Sequence, residues 1–462
     1  MTKVPAQFSD RNICILGLGY VGLPLAVILA NSGFDVIGVD RQQVIVDQLQ
    51  AGEPHVFEPG LREKLAQVVH SGKLCLHQRI PDDCRSSVYI VTVGTPLDAD
   101  GLVMLDMIRS VAREISSVAG TGSMVIVRST VKVGTTRQVV LPILDASGKH
   151  FDLAFCPERI LAGAAMRELL ALPQIVGGDS LKAAFRAANF FQLLTPTVVQ
   201  VSSLETAEMI KLIDNASRDV QFGFANEVGK MCDALSISAR EVVEAGKLGY
   251  SRTNLFMPGP VGGPCLTKDS YILSQSVQDF GVVPEIALAA RRINESQPPE
   301  VISNVVRLLK RNPNFPAKPV ICVLGVAFKG RPDTDDTRGT MAIPIRAELE
   351  RWFPGTDVRA YDPVVPAARI KELGYDPMLS IIEALSGANL VLIHTNHGKI
   401  ADLSLENLAS SLGVPCFIFD FWNLFSAQDL QLPAHIGYGA LGSWQQTMFS
   451  SELAVGTPTK LR

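Results

Sequence analysis

Asn12-Ile-Cys-Ile-Leu16-Gly17-Leu-Gly19-Tyr20-Val21-Gly22 decides the fold, together with Gly33-Phe-Asp35-Val-Ile-Gly-Val39-Asp40 one helix further on. The apolar run ending at Leu16 reads as a buried strand, and the pattern through Leu29 as a helix. Gly33 stands where a helix C-terminal cap belongs, and Asp35–Val39 reads as the next strand. Three spaced glycines alone say little. In the order strand, glycines, helix, strand, terminal acid, they predict a dinucleotide site. Gly17 and Gly19 permit the tight turn and let a pyrophosphate, flanked by Tyr20 and Val21, reach the helix N-terminus. Gly22 permits close helix–strand packing. Asp40 is placed to accept ribose hydroxyls and to repel a 2′-phosphate, which favours NAD, with Arg41 beside it as an opposing cation.

The rhythm continues outward. Val88–Val93 precedes Gly94-Thr95-Pro96, and Ser123–Val127 precedes Arg128-Ser129-Thr130, with a helical stretch from Leu105 to Val118 between them. Such alternation predicts a parallel doubly wound sheet whose ligands gather at the carboxyl ends of its strands. Thr95 and Thr130 stand at two such ends, where each either caps the next helix or touches a ligand. Glu158 and Arg159 follow another apolar run.

In the middle, Ser202 and Glu205 have capping-box spacing, and a helical pattern runs on to about Asp233. Met209, Ile213, Ala216, Val220, Phe224, Val228 and Met231 recur as one buried face, with Lys211 and Asn215 on a neighbouring stripe. Next comes Pro258-Gly-Pro-Val-Gly262-Gly263-Pro264-Cys265-Leu-Thr-Lys268-Asp269. It reads as a loop in which Gly262 and Gly263 let the backbone approach a ligand beside a cysteine, a cation and a carboxylate. A further helix is expected from about Ser270 to Glu295. After a proline-rich linker, Asn312 to Pro319, a second wound domain starts at Val320, with Lys329, Arg331 and Arg338 near the end of its first strand. Only one glycine precedes Lys329, so this end suits a nucleotide diphosphate held by side chains, or else is a structural duplicate without a ligand.

The expectation is thus an α/β chain: two doubly wound Rossmann-like domains joined by a long central helix and a helical dimerisation domain. The boundaries are 1–201, 202–299 and 318–462. Net charge of −4 and a pI near 6.0 argue against nucleic-acid or membrane-surface binding. Eight cysteines without CxxC pairs and seven histidines without ligand spacing predict neither a disulfide framework nor a metal site. No apolar run reaches bilayer length and the N-terminus lacks a signal-peptide core, so a cytoplasmic protein is expected.

Together these motifs resemble the nucleotide-sugar 6-dehydrogenase family, the UDP-glucose and UDP-N-acetylhexosamine dehydrogenases. The likeness runs through residues 17–23, Ser129-Thr130-Val131, Cys156-Pro-Glu-Arg159, Lys211 and Asn215, Gly262 to Cys265, and Phe328 to Arg338. The resemblance implies four-electron oxidation of a sugar C6 alcohol to a carboxylate with NAD, through a cysteine thiohemiacetal and thioester. It implies Cys265 as nucleophile, Lys211 and Asn215 as donors to the C6 oxygen, and Asp269 as the carboxylate that positions water or relays protons. Glu158 then matches the base for thioester hydrolysis and Thr130 the hydroxyl that holds water. By the same likeness, Lys268 and Arg338 join Thr95 and Thr130 among the cofactor contacts. Arg159, Arg252, Asn254, Gly262 and Lys329 join the UDP-sugar contacts, Lys329 and Arg338 are the cations of a UDP domain, and a homodimer is implied.

The sugar is read from two conflicting signs. Pro157-Glu158-Arg159 resembles the acetamido-sugar enzymes, whereas Pro264 and the pair Lys268-Asp269 resemble the UDP-glucose enzymes. The reading leans to UDP-ManNAc or UDP-GlcNAc, with UDP-glucose as the alternative. A non-catalytic nucleotide-sugar binder is disfavoured because Cys265, Lys211, Asn215 and Asp269 are all kept. A two-electron hydroxyacid dehydrogenase would need neither Cys265 nor the last domain.

Overall fold

The structure, a computed structural model, describes residues 4–5, 7–426 and 429–443. The described residues form two compact units. One comprises the chain up to Ala216 with Lys268–Pro284, the other Ser217–Thr267 with the chain from Glu285 onward.

The first unit holds eight strands: β1 (Asn12–Leu16), β2 (Asp35–Val39), β3 (Leu74–His77), β4 (Val88–Val91), β5 (Met124–Val127), β6 (Asp152–Phe155), β7 (Gln174–Gly178) and β8 (Val198–Gln200). Their order is β3-β2-β1-β4-β5-β6-β7-β8. All neighbours are parallel except β6 and β7, which pair antiparallel, so the wholly parallel sheet expected from the alternation is corrected at that step. Every residue of β4, β5 and β6 is buried, as strands covered on both faces require. Burying each Val, Ile or Leu side chain there contributes about 1.5–3 kcal/mol. Strand order reverses between β1 and β4, which puts the ligand crevice at the ends of those two strands.

Helix α1 (Gly22–Asn31) leaves β1 through the glycine turn and closes at Gly33, whose φ of +102° is the left-handed cap expected there. Helix α2 (Leu204–Leu235) is the long central helix, about 48 Å by its rise per residue. Its cap is Ser203, whose Oγ accepts the Thr206 N–H, and not Ser202. Glu205 instead binds Arg137 through both oxygens at 2.6 and 3.3 Å. The apolar stripe expected on α2 is also corrected. Ile213, Phe224 and Met231 are exposed, while the buried side carries Glu208, Lys211, Asp219 and Asn226.

The second unit repeats the winding with β9 (Ile321–Leu324), β10 (Val358–Tyr361), β11 (Asp376–Pro377), β12 (Leu390–Ile393), β13 (Cys416–Asp420) and β14 (Ile436–Ala440). All are parallel, in the order β11-β10-β9-β12-β13-β14. The chain therefore carries two Rossmann-like domains joined by α2, the first sheet parallel except at β6–β7 and the second parallel throughout. The single helix expected over 270–295 is two. Helix α3 (Gly263–Val277) starts earlier, and a left-handed Gly281 (φ +70°) and Pro284 part it from α4 (Glu285–Leu309).

Candidate active site

Asp40 ends β2 as expected, with a first task inside the chain. Its Oδ2 accepts the Leu18 N–H at 3.1 Å and its Oδ1 the Gln42 N–H at 3.0 Å, which pins the glycine turn to the second strand. Gly17 is left-handed (φ +96°). A Cβ on Gly22 would sit 1.9 Å from the Gly17 carbonyl oxygen, so packing demands that glycine. At Gly19 a Cβ would meet nothing within 4 Å. Open space therefore faces the turn beside the start of α1, where no side chain caps the free N–H groups. These residues fit the pyrophosphate of a dinucleotide. Tyr20 is half-buried against the core and Arg41 is exposed beside Asp40. Thr95, buried, donates its hydroxyl to the Thr130 carbonyl at 2.5 Å, so the two threonines stand together at the ends of β4 and β5.

Glu158, Lys211, Asn215 and Asp269 gather in the same unit. The Lys211 ammonium, buried on α2, donates to the Glu158 carbonyl. The Glu158 carboxylate is already engaged. One oxygen faces Arg128, which is itself held by Gln174 at 2.9 Å; the other accepts the N–H groups of Arg159 (2.8 Å) and Ile160 (3.0 Å). The Glu158 carboxylate thereby ties Arg128 to the backbone of residues 159–160 beside Lys211. One turn beyond Lys211, Asn215 Nδ2 donates to Asp269 Oδ2 at 2.6 Å, and Lys268 Nζ reaches Asp269 Oδ1 at 2.8 Å. Asp269 is fully buried. Arg159 donates to the Pro173 carbonyl at 2.6 Å and lies 3.7 Å from Asp214, leaving its guanidinium partly exposed. Close by on α2, buried Glu208 accepts the N–H groups of Gly134 (2.6 Å) and Thr136 (2.8 Å), and burial raises its carboxyl above the usual range. It thereby ties the segment after Thr130 to the helix that carries Lys211.

In the second unit, Cys265 does not lie in a loop but in the first turn of α3, where backbone dipoles favour negative charge. Cys265 and Cys75 are the exposed cysteines. Cys75, on β3, bonds the Gly72 carbonyl, whereas burial pushes Cys156 and Cys416 up to about 12. The glycines before Cys265 let the chain itself pack closely against its neighbours. A Cβ on Gly262 would lie 2.3 Å from the Gly339 carbonyl oxygen, and one on Gly263 would lie 2.5 Å from the Phe328 ring. Arg252 and Asn254 are exposed, with Arg252 stacked 4.9 Å from the Tyr250 ring centre. Lys329 is half-buried beside Phe328, and Arg338 grips Asp336 through two nitrogens at 2.9 and 2.7 Å. Asp362, at the end of β10, accepts the N–H groups of Val326 (2.7 Å) and Ala327 (3.1 Å), as Asp40 accepts that of Leu18.

Sequence reasoning passed over Arg128, Gln174, Glu208, Asn226 and Arg291, all buried. The one available signal was spacing: Asp219 and Asn226 are two turns apart, polar residues on a face that packing covers.

The sequence matches three domains of the UDP-glucose/GDP-mannose dehydrogenase family: the NAD binding domain at residues 11–195, the central domain at 205–296 and the UDP binding domain at 322–427. The UDP-N-acetyl-D-mannosamine dehydrogenase of Pyrococcus horikoshii is 32% identical over 406 residues, covering 87% of this chain and 93% of that protein. The solved structure of UDP-D-ManNAc dehydrogenase from Pyrococcus horikoshii matches with a TM-score of 0.82 at 30% identity, covering 94% of this chain and 99% of that one. That of a UDP-glucose dehydrogenase from Pyrobaculum islandicum matches with a TM-score of 0.82 at 27% identity, covering 96% and 99%. The chain belongs to the UDP-glucose/GDP-mannose dehydrogenase family and is an NAD-dependent oxidoreductase of nucleotide sugars.

Proposed function

We propose that this enzyme oxidises the C6 hydroxyl of a UDP-N-acetylhexosamine, UDP-ManNAc or UDP-GlcNAc, to the uronic acid. The observation that carries the reading is the cluster of Lys211, Asn215 and Asp269, a cation, an amide donor and a buried carboxylate within hydrogen-bond reach of one another or of Glu158. Pro157-Glu158-Arg159 and the UDP-N-acetyl-D-mannosamine dehydrogenase relatives support an acetamido sugar. Lys268-Asp269 and the likeness to a UDP-glucose dehydrogenase support the second reading, UDP-glucose to UDP-glucuronate.

The turn of Gly17, Gly19 and Gly22 with Asp40 would hold NAD, which would supply the hydride acceptor for both oxidation stages. Lys211 and Asn215 donate to the C6 oxygen while it carries charge, the task of an oxyanion hole. Asp269 receives the alcohol proton through an intervening water, which Thr130 also holds. The Cys265 thiolate adds to the aldehyde carbon, and the resulting S–C bond persists through the thioester. Water, giving up a proton to the Glu158 carboxylate, then attacks that carbon, the S–C bond breaks, and the Cys265 thiolate leaves with the acid formed. In this scheme Glu158 orients Lys211 and Arg159 through its carbonyl and its carboxylate. Arg252, Asn254 and Lys329 hold the UDP-sugar, while Arg338 and Lys268 act on the cofactor side. The functional division of the chain is 1–201 for NAD, 202–299 for the cysteine and assembly, and 318–462 for UDP.

The enzyme works as a homodimer in this reading. Phe224 (54% exposed), Met231 (47%) and Leu235 (69%) line one face of α2 with half-buried Val220, at spacings that keep them in register over three turns and more. The test of the chemistry is Cys265→Ser, which should lose net acid formation while keeping the fold and NAD binding. Acid formation at the unmutated rate would overturn it.

A further inference from the structure

The segment Pro258–Pro264, which delivers Cys265 to the start of α3, is gripped by buried polar side chains that no step above uses. Asn226 on α2 is 1% exposed. Its Oδ1 accepts the Gly259 N–H at 2.8 Å and its Nδ2 donates to the Gly259 carbonyl at 3.1 Å, so a single side chain holds both polar groups of one residue. The same Nδ2 donates to Asn294 Oδ1 on α4 at 2.8 Å. Arg291, also on α4 and 0% exposed, donates to the Val261 carbonyl at 3.0 Å and to Asp219 Oδ1 at 3.0 Å. Asn294 closes the network through Asp219, donating to its carbonyl at 2.9 Å and its Oδ1 at 2.8 Å.

The opposite side of the segment is braced by packing within the same unit. A Cβ on Gly259 would sit 2.6 Å from the Trp422 ring, and the Gly263 N–H donates to the Gly339 carbonyl at 2.8 Å. Held by hydrogen bonds on one side and by contact on the other, the segment has no slack to shift along its length. A buried polar network of this kind favours one arrangement, because displacing the segment would leave the groups that Asn226 and Arg291 now satisfy unpaired.

We propose that Asn226 and Arg291 are positioning residues for the nucleophile: they set where the Cys265 thiolate stands by fixing Gly259 and Val261 ahead of it. This rests on the reading of Cys265 as nucleophile. Neither side chain touches substrate in this account. Their effect is on the capture of the aldehyde and the reactivity of the thiol, and a small misplacement of a reacting group costs on the order of 100-fold in rate.

The experiment compares Asn226→Ala, Asn226→Asp, Arg291→Lys and Cys265→Ser with the full-length enzyme. It reads kcat and KM for acid formation, and the pH profile of Cys265 alkylation by iodoacetamide, resolved from Cys75 and Cys84 by peptide mass spectrometry. Asn226→Asp keeps the side-chain shape and the acceptor for the Gly259 N–H, so it decides the matter if Asn226→Ala does not fold. The expected result is a fall in kcat of roughly 100-fold for Asn226→Ala and a smaller fall for Asn226→Asp and Arg291→Lys, with KM for the nucleotide sugar little changed and the alkylation profile displaced. Folded Asn226 variants with unchanged kcat and an unchanged profile, beside an inactive Cys265→Ser, would overturn the positioning role alone. An active Cys265→Ser would overturn the nucleophile reading on which it rests.

Discussion

Asn215 and Asp269 share a 2.6 Å hydrogen bond, Nδ2 to Oδ2, joining an amide on the central helix to a carboxylate with no exposed surface. Lys268 holds the other carboxylate oxygen at 2.8 Å. The carboxylate orients the amide, which in the proposed mechanism aims the Asn215 donor before substrate arrives. Preorganised donors of this kind account for much of the stabilisation of a developing alkoxide.

Asn215→Ala and Asp269→Asn should therefore each lower kcat by about 100- to 1,000-fold, with a much smaller change in KM for the nucleotide sugar. Steady-state kinetics on the folded variants checks this. A rise in KM at unchanged kcat would show that the pair binds substrate without acting in the transition state.

The two glycines of the cofactor turn separate packing from binding. Gly22→Ala places a Cβ 1.9 Å from a backbone oxygen and should destabilise the first unit by about 1–3 kcal/mol or more. Gly19→Ala meets nothing within 4 Å and should leave the melting temperature unchanged while weakening NAD binding. Calorimetry of both variants, with and without NAD, tells the two effects apart.

His394, buried at the end of β12, interacts through Nδ1 with the Gly325 carbonyl oxygen at 2.9 Å. Burial lowers its pKa from an ordinary 6.5 to about 4. Between those values the unfolded chain binds a proton that the folded chain refuses. The contribution to stability is thus complete above pH 6.5 and is lost as the pH falls toward 4, roughly 3 kcal/mol in all. Denaturant midpoints for the second unit should fall over that window and fall less in His394→Gln.

The exposed face of α2 predicts a self-association surface. If α2 forms the proposed two-fold contact, Phe224→Asp should yield a monomer in sedimentation velocity, because a charge placed in that apolar contact is unfavourable. An unchanged sedimentation coefficient for a dimeric enzyme would move the interface elsewhere.

The periodic, locally determined parts of this fold were legible in the sequence. β1 and β2 fall on the expected residues because apolar runs between glycines leave one reading. The Cys265 segment was misread as a loop, since its glycines and prolines suit a helix's first turn as well as irregular chain. The apolar stripe of α2 was only partly right, since Ala216 and Val228 are buried but Ile213, Phe224 and Met231 are exposed; local periodicity does not say which face is covered. Burial of Glu208, Asp219 and Asn226 there rests on partners far along the chain, Gly134, Arg291 and Gly259. Glu158 shows the same limit: its position after β6 was readable, but its ion pair with Arg128 depends on the neighbouring strand end.

The central claim, four-electron oxidation through a thioester, is tested most directly by counting NADH. Purified enzyme with excess NAD and a limiting amount of UDP-ManNAc, UDP-GlcNAc or UDP-glucose, run to completion, should yield two NADH per sugar with one of the acetamido substrates and release the uronic acid. One NADH per sugar with an aldehyde product would contradict the claim. Two NADH from UDP-glucose alone would keep the mechanism and overturn the acetamido assignment.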